Sequence, residues 1–132
     1  MPNEPLIIPP QELAAPGTGV HGAGLVIQNW RAAGLAEMVA PLHVHHADDE
    51  AWHVISGALR FRLADREFVA VAGSTVLVPA GVAHTFGNAG PEPSRYLLIV
   101  PSRLDELIKA LHEVGPAERA SVYRRYDSEL LE

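Results

Sequence analysis

The sequence predicts an all-β fold, either a sandwich, a jelly roll or a barrel, and three observations support this prediction. Short apolar or alternating runs follow one another between residues 25 and 100. Glycine and proline separate these runs, as in Pro79-Ala80-Gly81, which is typical of antiparallel sheets that pack or close on themselves. The run Ala58–Leu63 alternates apolar and basic residues, as a half-buried strand does.

Composition limits the class of protein. With 132 residues, of which 48% are hydrophobic, the chain is long enough to fold as one domain around one core. The formal net charge is −6 and there is no basic run, which argues against a nucleic-acid or membrane partner. Cysteine is absent, which excludes disulfides and thiolate-bound metals. No signal-peptide pattern and no apolar run of about 20 residues occurs, so we expect a cytoplasmic protein.

Three segments are expected within this domain. Residues 1–24 are rich in proline and glycine and predict an extended arm that can include one short edge strand. Residues 25–101 form the β-barrel core. The predicted strands of this core are Leu25–Trp30, Leu35–Val44, Ala51–Ile55, Ala58–Leu63, Phe68–Val71, Thr75–Val78, His84–Phe86 and Tyr96–Val100. Two of them, Phe68–Val71 and Thr75–Val78, are almost uniformly apolar, which predicts strands covered on both faces.

Residues 102–132 change to a helical pattern. Ser102 is expected to cap a first helix, which Gly115-Pro116 ends. A second helix is expected over residues 117–131. One apolar stripe predicts that the first helix packs on the barrel, and its members are Leu104, Leu107, Ile108 and Leu111. Both helices are interpreted as a cover over an open end or edge of the barrel.

The stretch from Pro41 to Glu50 contains three histidines and three carboxylates. His43 and His45 are two residues apart, so on a strand both imidazoles point to the same face. Glu50 begins an apolar run, and a returning strand there would bring its carboxylate to the same point. Two imidazoles and a carboxylate predict part of a metal site.

The other polar residues of this stretch have lesser expected roles. His46 is expected on the opposite face of its strand or in the next turn, near the rim of the site. Asp48 and Asp49 are interpreted as solvated loop carboxylates, with Asp49 as a reserve ligand. Alternation places Trp52 on the same side as Glu50, as a core residue or as a wall of the pocket.

A fourth candidate ligand, His84, lies far along the chain. An apolar strand precedes the tight turn Pro79-Ala80-Gly81, and His84 begins the next strand. A strand followed by a fixed turn is a rigid way to aim one imidazole.

These residues carry a resemblance to a known family. The spacing of five positions resembles the second motif of the cupin superfamily, G-x5-P-x-G-x2-H-x3-N, and they are Gly73, Pro79, Gly81, His84 and Asn88. Four more positions resemble the first motif, G-x5-H-x-H-x3,4-E-x6-G, and they are His43, His45, Glu50 and Gly57. Glu37 stands where that motif begins with glycine.

The resemblance implies a double-stranded β-helix, a jelly-roll barrel with the C-terminal helices packed on it. It further implies one divalent transition metal ion per chain, with iron favoured and manganese, nickel, zinc, copper or cobalt also compatible. No organic cofactor is implied. The ligands would be His43, His45, Glu50 and His84. Such a ligand set leaves one or two coordination positions open, as catalytic sites do.

The C-terminal stretch Tyr126–Leu131 is similar to the end of quercetin dioxygenase-type small cupins, with Asp127 in place of a glycine. This resemblance implies an oxidoreductase of dioxygenase type, which binds a small metal-chelating organic substrate in the barrel. Glu50 would also act as a catalytic proton acceptor. The alternatives are a metal-containing binding or sensor protein without turnover, and a sugar isomerase or epimerase. A homodimer is expected.

Overall fold

Two antiparallel five-stranded sheets form the body of the protein in the computed structural model, which describes residues 5–10, 15, 17–34, 38–63 and 65–132. The strands are β1 (Gly19–His21), β2 (Leu25–Ala32), β3 (His43–His45), β4 (Glu50–Ser56), β5 (Ala58–Leu63), β6 (Glu67–Val71), β7 (Thr75–Val78), β8 (His84–Asn88), β9 (Ser94–Pro101) and β10 (Ser128–Leu130). The first sheet has the order β1-β2-β9-β4-β7 and the second the order β10-β3-β8-β5-β6. The predicted jelly-roll fold is confirmed.

The core lies between the two sheets because alternate residues of each strand point inward. In β9, buried residues occupy every second position. Trp52 is fully buried, and its ring lies 5.2 Å from the rings of Phe61 and Phe86. Removal of such a side chain costs about 3–5 kcal/mol of folding free energy. Trp52 therefore helps to hold both sheets together directly beneath the site described below.

The predicted strand Leu35–Val44 is wrong as one continuous element, and residues 35–37 lie outside the described residues. Met38 forms an isolated bridge with Gly87, and the N–H of Val39 donates to the carbonyl of Phe86. Regular pairing resumes only in β3. Pro41 has no N–H to donate, which explains why the strand is interrupted between the bridge and β3.

The C-terminal helices cover one side of the barrel. Helix α1 (Ser102–His112) begins after Pro101, and Ser102 makes no side-chain cap, so that expectation is wrong. The predicted apolar stripe is confirmed: Leu104 and Leu107 are buried, and Ile108 packs against them at the edge of the core. Neither helix of the described chain is long and apolar enough to cross a membrane.

The predicted second helix is confirmed, but it is shorter than the expected residues 117–131. A single 3₁₀ turn (Pro116–Glu118) leads into helix α2 (Arg119–Arg125), and residue 128 starts a strand. Asp127 has φ of 52°, in the left-handed region that ends helices. The chain then forms β10, which pairs antiparallel with β3. This pairing brings the end of the described chain beside two of the candidate metal ligands.

Candidate metal centre

Four side chains predicted to bind a metal converge at one point inside the barrel. His43 and His45 lie on β3, while Glu50 and His84 are the first residues of β4 and β8. His43 is the direct cross-strand partner of His84. One ligand atom from each residue lies within 4.8 Å of the other three, and all four residues are buried. Two segments distant in sequence therefore form a single cluster.

Backbone carbonyls orient two of the imidazoles. His43 Nδ1 lies 2.7 Å from the carbonyl oxygen of Pro41, and His84 Nδ1 lies 2.9 Å from that of Val82. A carbonyl oxygen only accepts hydrogen bonds, so Nδ1 carries a proton in both rings. The Nε2 atoms are left to face the centre of the cluster, which is the arrangement that metal-binding histidines adopt.

Ser128 orients the third imidazole. Its Oγ lies 2.7 Å from His45 Nδ1 and donates its own proton to the carbonyl oxygen of Tyr126, at 3.1 Å. A serine hydroxyl has one proton, so Ser128 must accept from His45 Nδ1–H. Ser128 was not predicted as a site residue, because the sequence favours a helix over this stretch. The only available signal was the resemblance of the C-terminal stretch to small cupins.

Glu50 makes the cluster a site for a cation. Its Oε1 lies 3.0 Å from His84 Nε2 and 3.3 Å from His45 Nε2. With Nδ1 already protonated, each contact needs either a second proton on the ring or a cation shared with the carboxylate. Two imidazolium rings with centroids 5.4 Å apart would repel each other by about 3 kcal/mol at an effective dielectric of 20. One metal ion avoids this repulsion and serves all four atoms.

The electrostatics keep Glu50 and His43 in the forms that bind metals. Burial alone would raise the pKa of Glu50, but hydrogen bonds and positive charge from His45 and His84 outweigh it and lower the pKa to about 2. Burial, followed by the charges of His84 and His45, lowers the pKa of His43 to about 4. A carboxylate and a neutral imidazole are therefore the dominant forms at neutral pH. This donor set fits a divalent transition metal.

A cavity of about 410 Å³ adjoins the cluster. Its walls are largely apolar, and helix α1 supplies Leu104, Leu107 and Ile108 to them. Trp52, predicted as core or pocket wall, is both, since it is fully buried and lines the cavity. A space of this size and character suits one small organic molecule.

Two tyrosines also line this cavity, Tyr96 from β9 and Tyr123 from α2. Burial, followed by the negative charge of Glu50, raises the pKa of Tyr123 to about 12. The same two causes raise the pKa of Tyr96. Both phenols therefore stay protonated at neutral pH. Neither tyrosine was predicted as a site residue from the sequence.

The remaining polar residues of the first motif region lie outside the cluster. His46 is exposed in the turn after β3, with Nε2 3.5 Å from an oxygen of Glu129. Asp49, the reserve ligand, accepts a hydrogen bond from the N–H of Ala80 at 2.9 Å, so it holds the turn before His84. Asp48 is not solvated as expected: its side chain is 12% exposed and lies 2.8 Å from Arg103.

The comparisons with known proteins agree with this description. The family described as "Cupin domain" matches residues 36–100. A cupin protein of known structure from Bacteroides fragilis is 16% identical, with a TM-score of 0.54 over 60% of this chain and 66% of that chain. An uncharacterized conserved protein with a double-stranded beta-helix domain, from Klebsiella pneumoniae, is 25% identical, with a TM-score of 0.58 over 74% of this chain and 90% of that chain.

A third solved structure has a title that states an activity. It is a sugar phosphate isomerase from a cupin superfamily, from Silicibacter pomeroyi, with 25% identity and a TM-score of 0.54 over 61% of this chain and 52% of that chain. The present chain thus spans less than two thirds of the length of the Bacteroides and Silicibacter proteins. No curated protein matches its sequence.

Proposed function

Because residues 36–100 match the family described as "Cupin domain", we propose that the chain is a cupin and a metal-dependent oxidoreductase of dioxygenase type. Its substrate is a small organic compound that chelates the metal. The observation that carries this proposal is the convergence of four ligand atoms within 4.8 Å of one another beside a largely apolar cavity. The four ligands are His43, His45, Glu50 and His84.

The proposed cofactor is one divalent transition metal ion per chain, and we favour iron(II). Three imidazoles and a carboxylate also accept manganese, nickel, zinc, copper or cobalt. When bound, the ion supplies redox chemistry and adjacent coordination positions for substrate and dioxygen. The hydrogen bonds at Nδ1 of the three histidines fix the ring orientations that this ligation requires.

The chain's own residues have two further roles in this proposal. The apolar wall, which includes Leu104 and Leu107, excludes water from a reactive centre. Glu50 holds the metal and accepts a proton from a substrate hydroxyl. A bound divalent ion would make a coordinated substrate hydroxyl more acidic, which would favour this transfer.

A second candidate is sugar phosphate isomerisation. The Silicibacter isomerase, 25% identical, supports it, and so do two exposed residues that line the cavity, Arg119 and His112. A guanidinium at the solvent side of a metal site is suited to hold a phosphate. We rank this candidate second because most of the cavity wall is apolar, whereas a sugar presents hydroxyl groups that need polar partners.

Metal content is the first test. Protein purified without added metal, analysed for its elements, should contain about one transition metal ion per chain. His84→Ala should lose most of that metal, because it removes one of four ligands. His112→Ala is the matched control, since this histidine is exposed and also lines the cavity. Full metal stoichiometry in His84→Ala would contradict the four-ligand assignment.

Turnover is the second test. The metal-loaded protein should consume dioxygen with members of a flavonol and diketone panel, and His84→Ala should not. Conversion of sugar phosphates without oxygen consumption would instead support the isomerase. Tight binding of panel members with no product under either condition would support a binding or sensor protein and overturn the enzymatic proposal.

A further inference from the structure

We propose that Tyr96 and Tyr123 bind the organic ligand of the metal centre by donating hydrogen bonds from their hydroxyls to its oxygen atoms. The ligand class is then a compound with carbonyl, enolate or carboxylate oxygens in addition to those that bind the metal. This inference rests on the proposed function, because it assigns a second set of contacts to the same ligand.

The placement of the two rings is the first step. Tyr123 projects from α2, and its ring centroid lies 5.4 Å from that of His43. Tyr96 projects from β9, and its ring packs edge-on against Phe86 with centroids 5.6 Å apart. Both tyrosines line the cavity that also exposes His43, His45 and Glu50. A molecule bound at the metal and filling this cavity therefore contacts both tyrosine side chains.

The second step is that both hydroxyls lack partners. Each tyrosine is 3% exposed, and within the described part of the chain neither hydroxyl has a hydrogen-bond partner. Neither hydroxyl oxygen is among the fully buried unpaired atoms, so each is accessible from the cavity that its residue lines, and a tyrosine hydroxyl in such a place ordinarily finds a hydrogen-bond partner. Two such groups facing one cavity indicate that the cavity contents supply the partners.

The third step is whether the ligand must supply hydrogen-bond donors or acceptors to these groups. Each tyrosine hydroxyl can donate one hydrogen bond to a ligand, whereas the Nε1 of Trp52, which also lines the cavity, is too buried for a ligand to reach. The metal, in turn, takes electron pairs from its ligands. With Glu50 and the three histidines holding the metal, oxygen acceptors on the ligand can match both the metal and the two hydroxyls. A ligand without acceptor atoms would leave the metal unmatched.

The test compares the binding of two metal ligands to the cobalt(II)-loaded protein. The visible absorption of the ion reports the binding of each. Acetohydroxamate chelates through oxygen and offers acceptors to the tyrosines, whereas metal-bound 1-methylimidazole offers neither a donor nor an acceptor. Tyr96→Phe and Tyr123→Phe should each raise the Kd for acetohydroxamate by on the order of tenfold. The Kd for 1-methylimidazole should stay the same in both variants.

Tyr126→Phe is the control variant, because Tyr126 is outside the cavity lining. It should bind both probes as the wild type does. Phenylalanine keeps the ring packing of each tyrosine, and thermal unfolding checks that each variant is folded. Should one variant fail to fold, the other tests the same proposal.

Three outcomes would count against the proposal. If a variant binds acetohydroxamate with the wild-type affinity, the substituted tyrosine does not bind the ligand. Equal losses for both probes assign the effect to the metal site and overturn the proposal. If the wild-type protein takes up neither cobalt nor iron, the proposed function itself is refuted. Metal uptake therefore distinguishes a failure of the proposed function from a failure of the tyrosine proposal.

Discussion

Ser128 acts on the centre through His45 without contacting the metal position. It accepts from His45 Nδ1 at 2.7 Å and thereby keeps the Nε2 lone pair turned toward Glu50. Histidine ligands depend strongly on such outer hydrogen bonds, whose loss typically costs 10–100-fold in metal affinity. At the scale of single residues, the centre therefore has more determinants than its four ligands.

We expect Ser128→Ala to lower the affinity for zinc or cobalt by about 10–100-fold while the protein stays folded. Competition with a chromophoric chelator measures this affinity. Ser121→Ala is the matched control, because Ser121 Oγ makes one exposed hydrogen bond, to the carbonyl oxygen of Glu118. If both variants bind metal as the wild type does, the orienting role of Ser128 is wrong.

The four clustered residues were predictable because their types and spacings are local signals. His43 and His45 share a strand face, and Glu50 and His84 each begin a strand at a turn. Ser128 and Tyr123 were not predictable in the same way. The place of Ser128 depends on the pairing of β10 with β3 and that of Tyr123 on the packing of α2, and no short-range pattern in the sequence encodes either.

At the scale of elements, the turn at Gly57 fixes how β4 passes into β5. Gly57 has φ of +74°, and a Cβ there would lie 2.5 Å from Ser94 Oγ and 2.8 Å from the carbonyl oxygen of Pro93. Ser94 Oγ in turn donates to the carbonyl of Ala58 at 2.7 Å. The glycine thus meets two demands, a left-handed backbone and close contact with the start of β9.

Gly57→Ala should therefore lower the free energy of unfolding by roughly 2–4 kcal/mol, from left-handed strain and steric overlap together. Gly73→Ala provides the comparison: Gly73 has φ of +90° and open space around it, so strain alone should cost about 1–2 kcal/mol. Urea denaturation measures both. Equal losses in the two variants would show that the contact with Ser94 is unimportant.

The boundaries of helices and strands were predicted well where a turn residue marks them. They were predicted poorly where pairing with a distant strand determines where the element ends. Val122, Tyr123 and Tyr126 have helical spacing, which favours a helix continued to residue 131. In the structure, Asp127 adopts φ of 52° and the chain leaves the helix to pair with β3. A glycine would adopt this left-handed backbone without strain.

At the scale of the whole molecule, two edge strands leave apolar side chains in solvent. Val69 and Val71 on β6 are 58% and 60% exposed, and Leu77 on β7 is 60% exposed. The sequences of both strands predict that they are covered on both faces, but one chain covers only one face. Exposed apolar edges of this kind are typical of association surfaces.

The expected homodimer would cover these edges, and light scattering coupled to gel filtration tests it. We expect the wild type at twice the chain mass of 14.2 kDa. Leu77→Glu should shift it toward that chain mass, because a carboxylate buried in an apolar contact must lose its hydration. Leu25→Glu, at a leucine 51% exposed on β2, should remain dimeric as the matched control. A wild type that stays at the chain mass throughout the micromolar range would refute the dimer, whereas a dimer unaffected by Leu77→Glu would place the interface elsewhere.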